Sequence, residues 1–163
     1  MKCTKCGADP VEFERVSRPF SEHLPRVTVD GLEQSTCPDC GEVMTSYPRW
    51  SQISDLVVAA LLAKSSRLTA GEIRFLRLKT GLKAQDLAET LGVTPSQVSR
   101  WEKGAVTIST LADRLLRMVA ASRTGLPAPK LANIDTSHSA PLEMRIKRTS
   151  RGWKAVHSDA QAA

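Results

Sequence analysis

The sequence predicts an α+β protein, in which a small zinc-stabilised β module at the N-terminus is followed by an all-α helix-turn-helix domain. All four cysteines of the 163-residue chain lie near its start, in two C-x-x-C-G motifs. From Ile53 onward, apolar residues recur at helical spacing between capping residues and glycines. We therefore predict a zinc-binding module over residues 1–50, a bridging helix over 51–66, a helix-turn-helix domain over 67–122 and a flexible basic tail over 123–163.

The composition is that of a globular protein, with 41 % hydrophobic and 25 % charged residues. Aromatic residues make up only 4 %, so we expect small aliphatic cores that gain from a bound metal. The formal net charge is +6, but residues 1–50 carry more acids than bases. The basic excess lies in residues 67–104 and 123–154, which indicates either a polyanion-binding surface or an ordinary solvated one.

The N-terminal residues lack the basic stretch and apolar core of a secretory signal. The longest apolar run, residues 56–63, is too short to cross a bilayer. We therefore expect a cytoplasmic protein without membrane association, whose thiols stay reduced.

The two cysteine motifs predict a metal site. Their letters are CTKCG at residues 3–7 and CPDCG at residues 37–41. Each places two thiolates where they can face one cation, and the glycine can adopt the positive φ that turns backbone N–H groups toward the sulfurs. Four thiolates complete the tetrahedral coordination that zinc prefers and leave no open position for catalysis. We therefore predict one structural zinc ion per chain, held by Cys3, Cys6, Cys37 and Cys40.

Other interpretations of the cysteines are weaker. A redox C-x-x-C pair is typical of a βαβ context, which the pattern lacks, and disulfides fit a reducing compartment poorly. Four thiolates could also hold an iron–sulfur cluster. Between the motifs, Val27 and Val29 alternate with polar residues and Asp30-Gly31 is a turn signal. This pattern predicts a small sheet that buries too little surface to fold without metal.

The middle of the chain is helical. Residues 53–62 form an apolar helix that we expect in the core, although it could instead contact a partner. Thr69 and Glu72 form a capping box that starts a helix ending near Thr80. Further helices are predicted over residues 84–91, from Pro95 to about Lys103, and from Ser109 or Thr110 to Ala120.

Two of these helices, residues 84–91 and 95–103, are short and are joined by a glycine turn, which predicts a helix-turn-helix. The second would enter the DNA major groove, with Val98 and Trp101 facing the core. Its polar residues are Ser96, Gln97, Ser99, Arg100 and Lys103. Arg100 can engage both acceptors of a guanine, or else a phosphate or a surface carboxylate.

Residues 81–104, GLKAQDLAETLGVTPSQVSRWEKG, resemble the Cro/phage-repressor-like helix-turn-helix family, and the likeness extends over about residues 68–122. Together with the double C-x-x-C-G module, residues 1–122 resemble the MqsA antitoxin family with its YgiT-type zinc finger. The resemblance implies that the zinc domain binds and neutralises a toxin. It also implies that the C-terminal domain forms a homodimer, binds an inverted repeat of double-stranded DNA and represses its own operon.

The resemblance also assigns residue roles. The base contacts fall on Ser96 and Arg100, and a structural ion pair falls on Arg77 and Glu102. Lys83 stands where the family has a capping Ser or Thr, and it could reach a phosphate instead. The full set of candidate DNA-contacting residues is Lys83, Thr94, Ser96, Gln97, Ser99, Arg100 and Lys103.

The sequence does not indicate an enzyme. It lacks the phosphate-loop, dinucleotide-binding, zinc-protease and nucleophile-elbow motifs, and His23, His138 and His157 stand alone. The alternative to an antitoxin that represses its own operon is a stand-alone zinc-containing transcription regulator without a toxin partner. In the tail, residues 142–156 could pair as a hairpin or remain a flexible arm that contacts the DNA backbone.

Overall fold

The computed structural model describes residues 2–9 and 13–157; residues 158–163 of the predicted tail lie outside the described residues. The helices and strands in chain order are β1 (Phe13–Ser21), β2 (Leu24–Thr36), β3 (Val43–Ser46), α1 (Trp50–Ala63), β4 (Ser66–Arg67), α2 (Ala70–Lys79), α3 (Ala84–Leu91), α4 (Pro95–Glu102), α5 (Thr110–Thr124), β5 (Asp135–Ser139), β6 (Met144–Thr149) and β7 (Gly152–His157). None of the helices in this part of the chain is long and apolar enough to cross a membrane.

Strand β2 is the centre of a mixed five-stranded sheet. Strand β1 pairs antiparallel along one side of it. The other side is shared by β3, which pairs antiparallel, and β6, which pairs parallel. Strand β7 pairs antiparallel with β6, while β4 and β5 form a separate parallel pair.

The predicted fold class, a β module followed by an all-α domain, is therefore wrong. Strands β6 and β7 follow the five helices in the chain but lie in the same sheet as β1 and β2. The physical reason is that β3 covers only part of the long edge of β2. Residues Val27–Asp30 remain open on that edge, and β6 supplies their hydrogen-bonding partners.

The predicted turn at Asp30-Gly31 is also wrong, because β2 continues through both residues. Ser17 pairs with Asp30 and Val16 with Leu32, so Gly31 is the extra residue of a β-bulge, with a φ of 94°. A Cβ atom on Gly31 would lie 3.1 Å from the Cβ of Arg148, so the bulge also admits β6 at close range.

One hydrophobic core joins the sheet to the helices. Helix α1 lies within it and packs against both β7 and α5. The sheet is thus stabilised by apolar packing as well as by any bound metal. The buried residues of this core include Val27, Val29, Leu32, Ile53, Val57, Leu61, Ile73, Leu76, Leu116, Ile146 and Trp153.

Two buried acids fix the segments between the helices. Glu72 accepts hydrogen bonds from Lys64 Nζ at 2.6 Å, the Thr69 amide at 2.7 Å and the Leu142 amide at 2.6 Å. Asp113 accepts from Arg117 Nε at 2.8 Å and from the amide of Leu68 at 2.7 Å.

Candidate metal centre and nucleic-acid interface

The four cysteines converge on one point. Their sulfur atoms all lie within 4.8 Å of one another. The Sγ atoms of Cys3 and Cys40 are 3.6 Å apart, and those of Cys6 and Cys37 are 3.5 Å apart. A tetrahedral site with Zn–S bonds of about 2.3 Å has sulfurs roughly 3.8 Å apart. The sulfurs therefore surround a space of the size that one tetrahedral metal ion needs.

Each cysteine pair lies on a tight turn, and the glycine that follows the pair can adopt the backbone conformation that this turn requires. The amide of Gly7 donates to the Cys3 carbonyl at 3.0 Å, and the amide of Gly41 donates to the Cys37 carbonyl at 2.9 Å. Both glycines have positive φ, 74° and 70°. The backbone N–H groups of Cys6 and Lys5 lower the pKa of the Cys3 thiol to about 6. The backbone of this turn thus favours the metal-binding thiolate form of Cys3, whereas the neighbouring sulfur of Cys37 raises the pKa of Cys6 and burial raises that of Cys40.

The donor set defines the chemistry of this site. Four thiolates suit a thiophilic ion and leave no position for a substrate or a reactive water. The cluster can therefore bind one metal ion in a structural role, as the spacing of the cysteines predicted.

Helices α3 and α4 are joined by a tight turn in which Gly92 has a φ of 68°. Thr94 starts α4, and its hydroxyl oxygen accepts a hydrogen bond from the Gln97 amide at 3.2 Å. Val98 and Trp101 are buried beneath α4. The opposite side of the helix is polar: Thr94, Ser96, Arg100 and Lys103 are exposed, and Gln97 and Ser99 are half-buried.

Arg77 and Glu102 lie close together. Arg77 Nη2 donates to Glu102 Oε2 at 2.9 Å, and Nη1 donates to the Leu82 carbonyl at 3.0 Å. Hydrogen bonding to Glu102 raises the pKa of Arg77. The pair links α2 to the C-terminal end of α4, and it also fixes the loop that precedes α3.

Lys83 is exposed at the start of α3. Its backbone amide donates to Asp86 Oδ2 at 3.2 Å, so Asp86 caps the helix from within. The Lys83 side chain is exposed to solvent. The structure thus places every candidate DNA-contacting residue on α4 or near the start of α3.

Helix α5 carries an exposed apolar stripe that its residue spacing does not reveal. Leu111, Leu115 and Met118 are 77 %, 38 % and 38 % exposed. Ala112 and Leu116 are buried instead. The helix carries apolar residues on two faces, so their spacing alone does not decide which face is covered; the register of α5 against α1 and α2 decides it.

The sequence of the chain matches the model of one known protein family. The model of the MqsA family, described as the antitoxin component of a bacterial toxin-antitoxin system, matches residues 1–123. The chain belongs to the MqsA antitoxin family. No curated protein and no solved structure matches it.

Membership of the family gives the chain the role of an antitoxin in a toxin–antitoxin pair, as the sequence predicted, and implies a toxin partner. An antitoxin acts as a regulator, which agrees with the expectation that the chain is not an enzyme. The match ends at residue 123, so the strands β5, β6 and β7 lie beyond the part that the family shares.

Proposed function

We propose that this antitoxin is a DNA-binding autorepressor that reads an inverted repeat in its own promoter as a homodimer. In this proposal α3 and α4 form a helix-turn-helix and α4 enters the major groove. The zinc-carrying N-terminal module contacts the toxin. Zinc is the ion we propose for the four cysteines, because a closed tetrahedral thiolate site is its usual structural form.

The observation that carries the proposal is the division of α4 into two faces. Val98 and Trp101 anchor the helix in the core, while Ser96 and Arg100 are exposed one turn apart on its outer face. A helix that reads base edges needs this rigid support and short polar side chains near its N-terminus. Arg100 supplies the planar fork that pairs with guanine O6 and N7. Lys83, Thr94, Gln97, Ser99 and Lys103 would hold the phosphates on either side.

The apolar stripe on α5 supports the homodimer. A single recognition helix reads too few base pairs for useful specificity, so a second copy is needed. Exposed Leu111, Leu115 and Met118 offer the self-complementary apolar surface of a two-fold interface.

The test is DNA affinity of the zinc-loaded chain on a duplex from its own promoter and on a scrambled duplex, at several salt concentrations. Arg100→Ala should weaken promoter binding by about 1–3 kcal/mol, because a bidentate base contact is lost, and should change scrambled binding far less.

Lys83→Ala is the control for a phosphate contact. It should weaken both duplexes alike and reduce the salt slope by about 1 for each protomer, or about 2 for the dimer. Equal losses on both duplexes for Arg100→Ala would mean that Arg100 is a phosphate contact, and the proposed reading of α4 would be wrong.

A further inference from the structure

The hairpin formed by β6 and β7 carries an unusual charge arrangement on its solvent face. Lys147 lies directly opposite Lys154, and both are exposed. Arg145 is on the same face one pair further along, opposite Val156. Like charges in directly opposed positions destabilise a sheet. Lys147 also has Asp30 in register on β2, but Lys154 has only Lys147 opposite it, so packing within the chain does not explain this pairing.

The positive charge continues across β2 to β1. An open cleft of about 520 Å³ beside the Gly31 bulge is lined by Arg15, Asp30, Lys147 and Arg148, together with Gly31, Thr149 and Ser150. We call Arg15, Arg145, Lys147, Arg148 and Lys154 the basic hairpin face.

The nearby acids do not neutralise this face. Asp30 is 3.5 Å from Arg145, and Glu33 is 2.6 Å from Arg148, so each acid already has a cation. Within the described residues 2–9 and 13–157, no acidic side chain forms an ion pair with Arg15, Lys147 or Lys154.

The face is held in a fixed position relative to the helices. The amide of Trp153 donates to Gln52 Oε1 at 3.2 Å, and its Nε1 donates to the Pro48 carbonyl at 2.7 Å. Trp153 and Ile146 are buried in the core that also contains Val98 and Trp101 of α4. Cations on this hairpin are therefore presented at a set distance from α4 rather than on a free arm.

We propose that the basic hairpin face is a second DNA-binding surface, which holds the phosphate backbone outside the base pairs read by α4. This inference rests on the proposed function. The chemistry favours a phosphate chain over a protein: on the solvent face of the hairpin, the exposed apolar Val156 stands beside three cations, Arg145, Lys147 and Lys154, and the exposed Phe13 lies beyond Arg15 at the start of β1. Protein interfaces are depleted in Lys, whereas Lys147 and Lys154 stand opposite each other on this hairpin, and a phosphate needs only a point charge.

The test compares the zinc-loaded wild type with Lys147→Gln/Lys154→Gln, and with Lys2→Gln/Lys130→Gln as a matched control that removes two exposed lysines elsewhere. The hairpin variant should lower the slope of log affinity against log salt by roughly 2 to 4 for the dimer, since it removes two lysines from each protomer and each lost phosphate contact contributes about 0.9. The loss should be the same on promoter and scrambled duplexes, while the control keeps the wild-type slope. The thermal midpoint should stay level or rise, because a like-charge pair has been removed.

An unchanged salt slope in the hairpin variant would overturn the proposal. The proposal would also be overturned if the hairpin variant lost affinity for the toxin and none for DNA, because the face would then be a protein-binding surface. Tighter binding to single-stranded RNA that depends on the same two lysines would overturn the assignment to DNA. If Arg100→Ala fails to discriminate promoter from scrambled duplex while the hairpin variant still loses slope, the proposed base reading fails and this inference stands.

Discussion

Glu72 is a buried acid on which three parts of the chain depend. Its side chain is 1 % exposed, as is that of its partner Lys64. Its two carboxylate oxygens also accept hydrogen bonds from the backbone amides of Thr69 and Leu142. Burial lowers the pKa of the Lys64 amine, and the charge of Glu72 opposes that shift. Removing the carboxylate would leave an ammonium group buried without compensation, which costs far more than the loss of an exposed pair.

We predict that Glu72→Gln lowers the free energy of unfolding by about 3–5 kcal/mol, because it breaks a buried ion pair. Glu89→Gln, the same change on the exposed side of α3, should stay within about 0.5 kcal/mol of the wild type. Urea unfolding of the zinc-loaded chains measures both. The double variant Lys64→Met/Glu72→Gln should recover part of the loss, since no unpaired charge remains. A loss below about 1 kcal/mol in the single variant would show that the pair is dispensable.

This residue also shows how far local sequence patterns reach. The capping box of Thr69 and Glu72 was predicted from residues three apart, and the bond from the Thr69 amide confirms it. The bonds to Lys64 and Leu142 join residues 8 and 70 positions away, and they were not predicted. Asp113 and Arg117 have the four-residue spacing that is common for ion pairs on helix surfaces, yet neither side chain is exposed. The fold, rather than the spacing, decides which such pairs are buried.

At the scale of elements, the exposed stripe on α5 predicts the dimer interface. Leu115→Asp should convert the dimer to a monomer, because it places a charge in an apolar contact, and it should weaken promoter binding as the second half-site is lost. Leu78→Asp is the control, since Leu78 is 52 % exposed on α2, outside the stripe. Sedimentation at several concentrations measures the change. A dimer that survives Leu115→Asp but not Leu78→Asp would place the interface on α2.

Helices and pairings between distant strands differ in how well the sequence predicts them. The bounds of α3 and α4 agree with the predicted 84–91 and Pro95 to about Lys103, because capping residues and glycines act within a turn of the chain. The residues predicted to pair as a hairpin, 142–156, include β6 and all but the last residue of β7, and only two residues separate the two strands. The parallel register of β6 on β2 depends on more than a hundred intervening residues, and no local pattern specifies it.

At the scale of the whole molecule, the metal site and the apolar core stabilise different parts of one sheet. The cysteine turns lie before β1 and just after β2. The middle of β2, with Val27, Val29 and Leu32 fully buried, packs in the core that the helices and the hairpin share. Side chains of this size contribute about 1.5–3 kcal/mol each when buried, so β2 retains a large part of its stabilisation when the metal is absent.

We therefore predict that chelation leaves the sheet folded. The purified chain should contain about one equivalent of zinc. After its removal, hydrogen exchange should become fast at the amides of Cys3, Gly7, Cys37 and Gly41, whose turns the metal fixes. The amides of β2 over residues 27–32 should keep their protection, because their strand partners and core contacts remain.

Deleting residues 141–163 from the zinc-loaded chain is the opposite experiment. It removes the partner strand along Val27–Asp30 and the buried side chains of Ile146 and Trp153, while the four cysteines stay. Protection should then fall in β2 and in α1, which packs on β7, and persist at the cysteine turns. If chelation instead removes protection from β2 and α1 together with the turns, the metal holds the whole sheet, and the shared core is too weak to fold it alone.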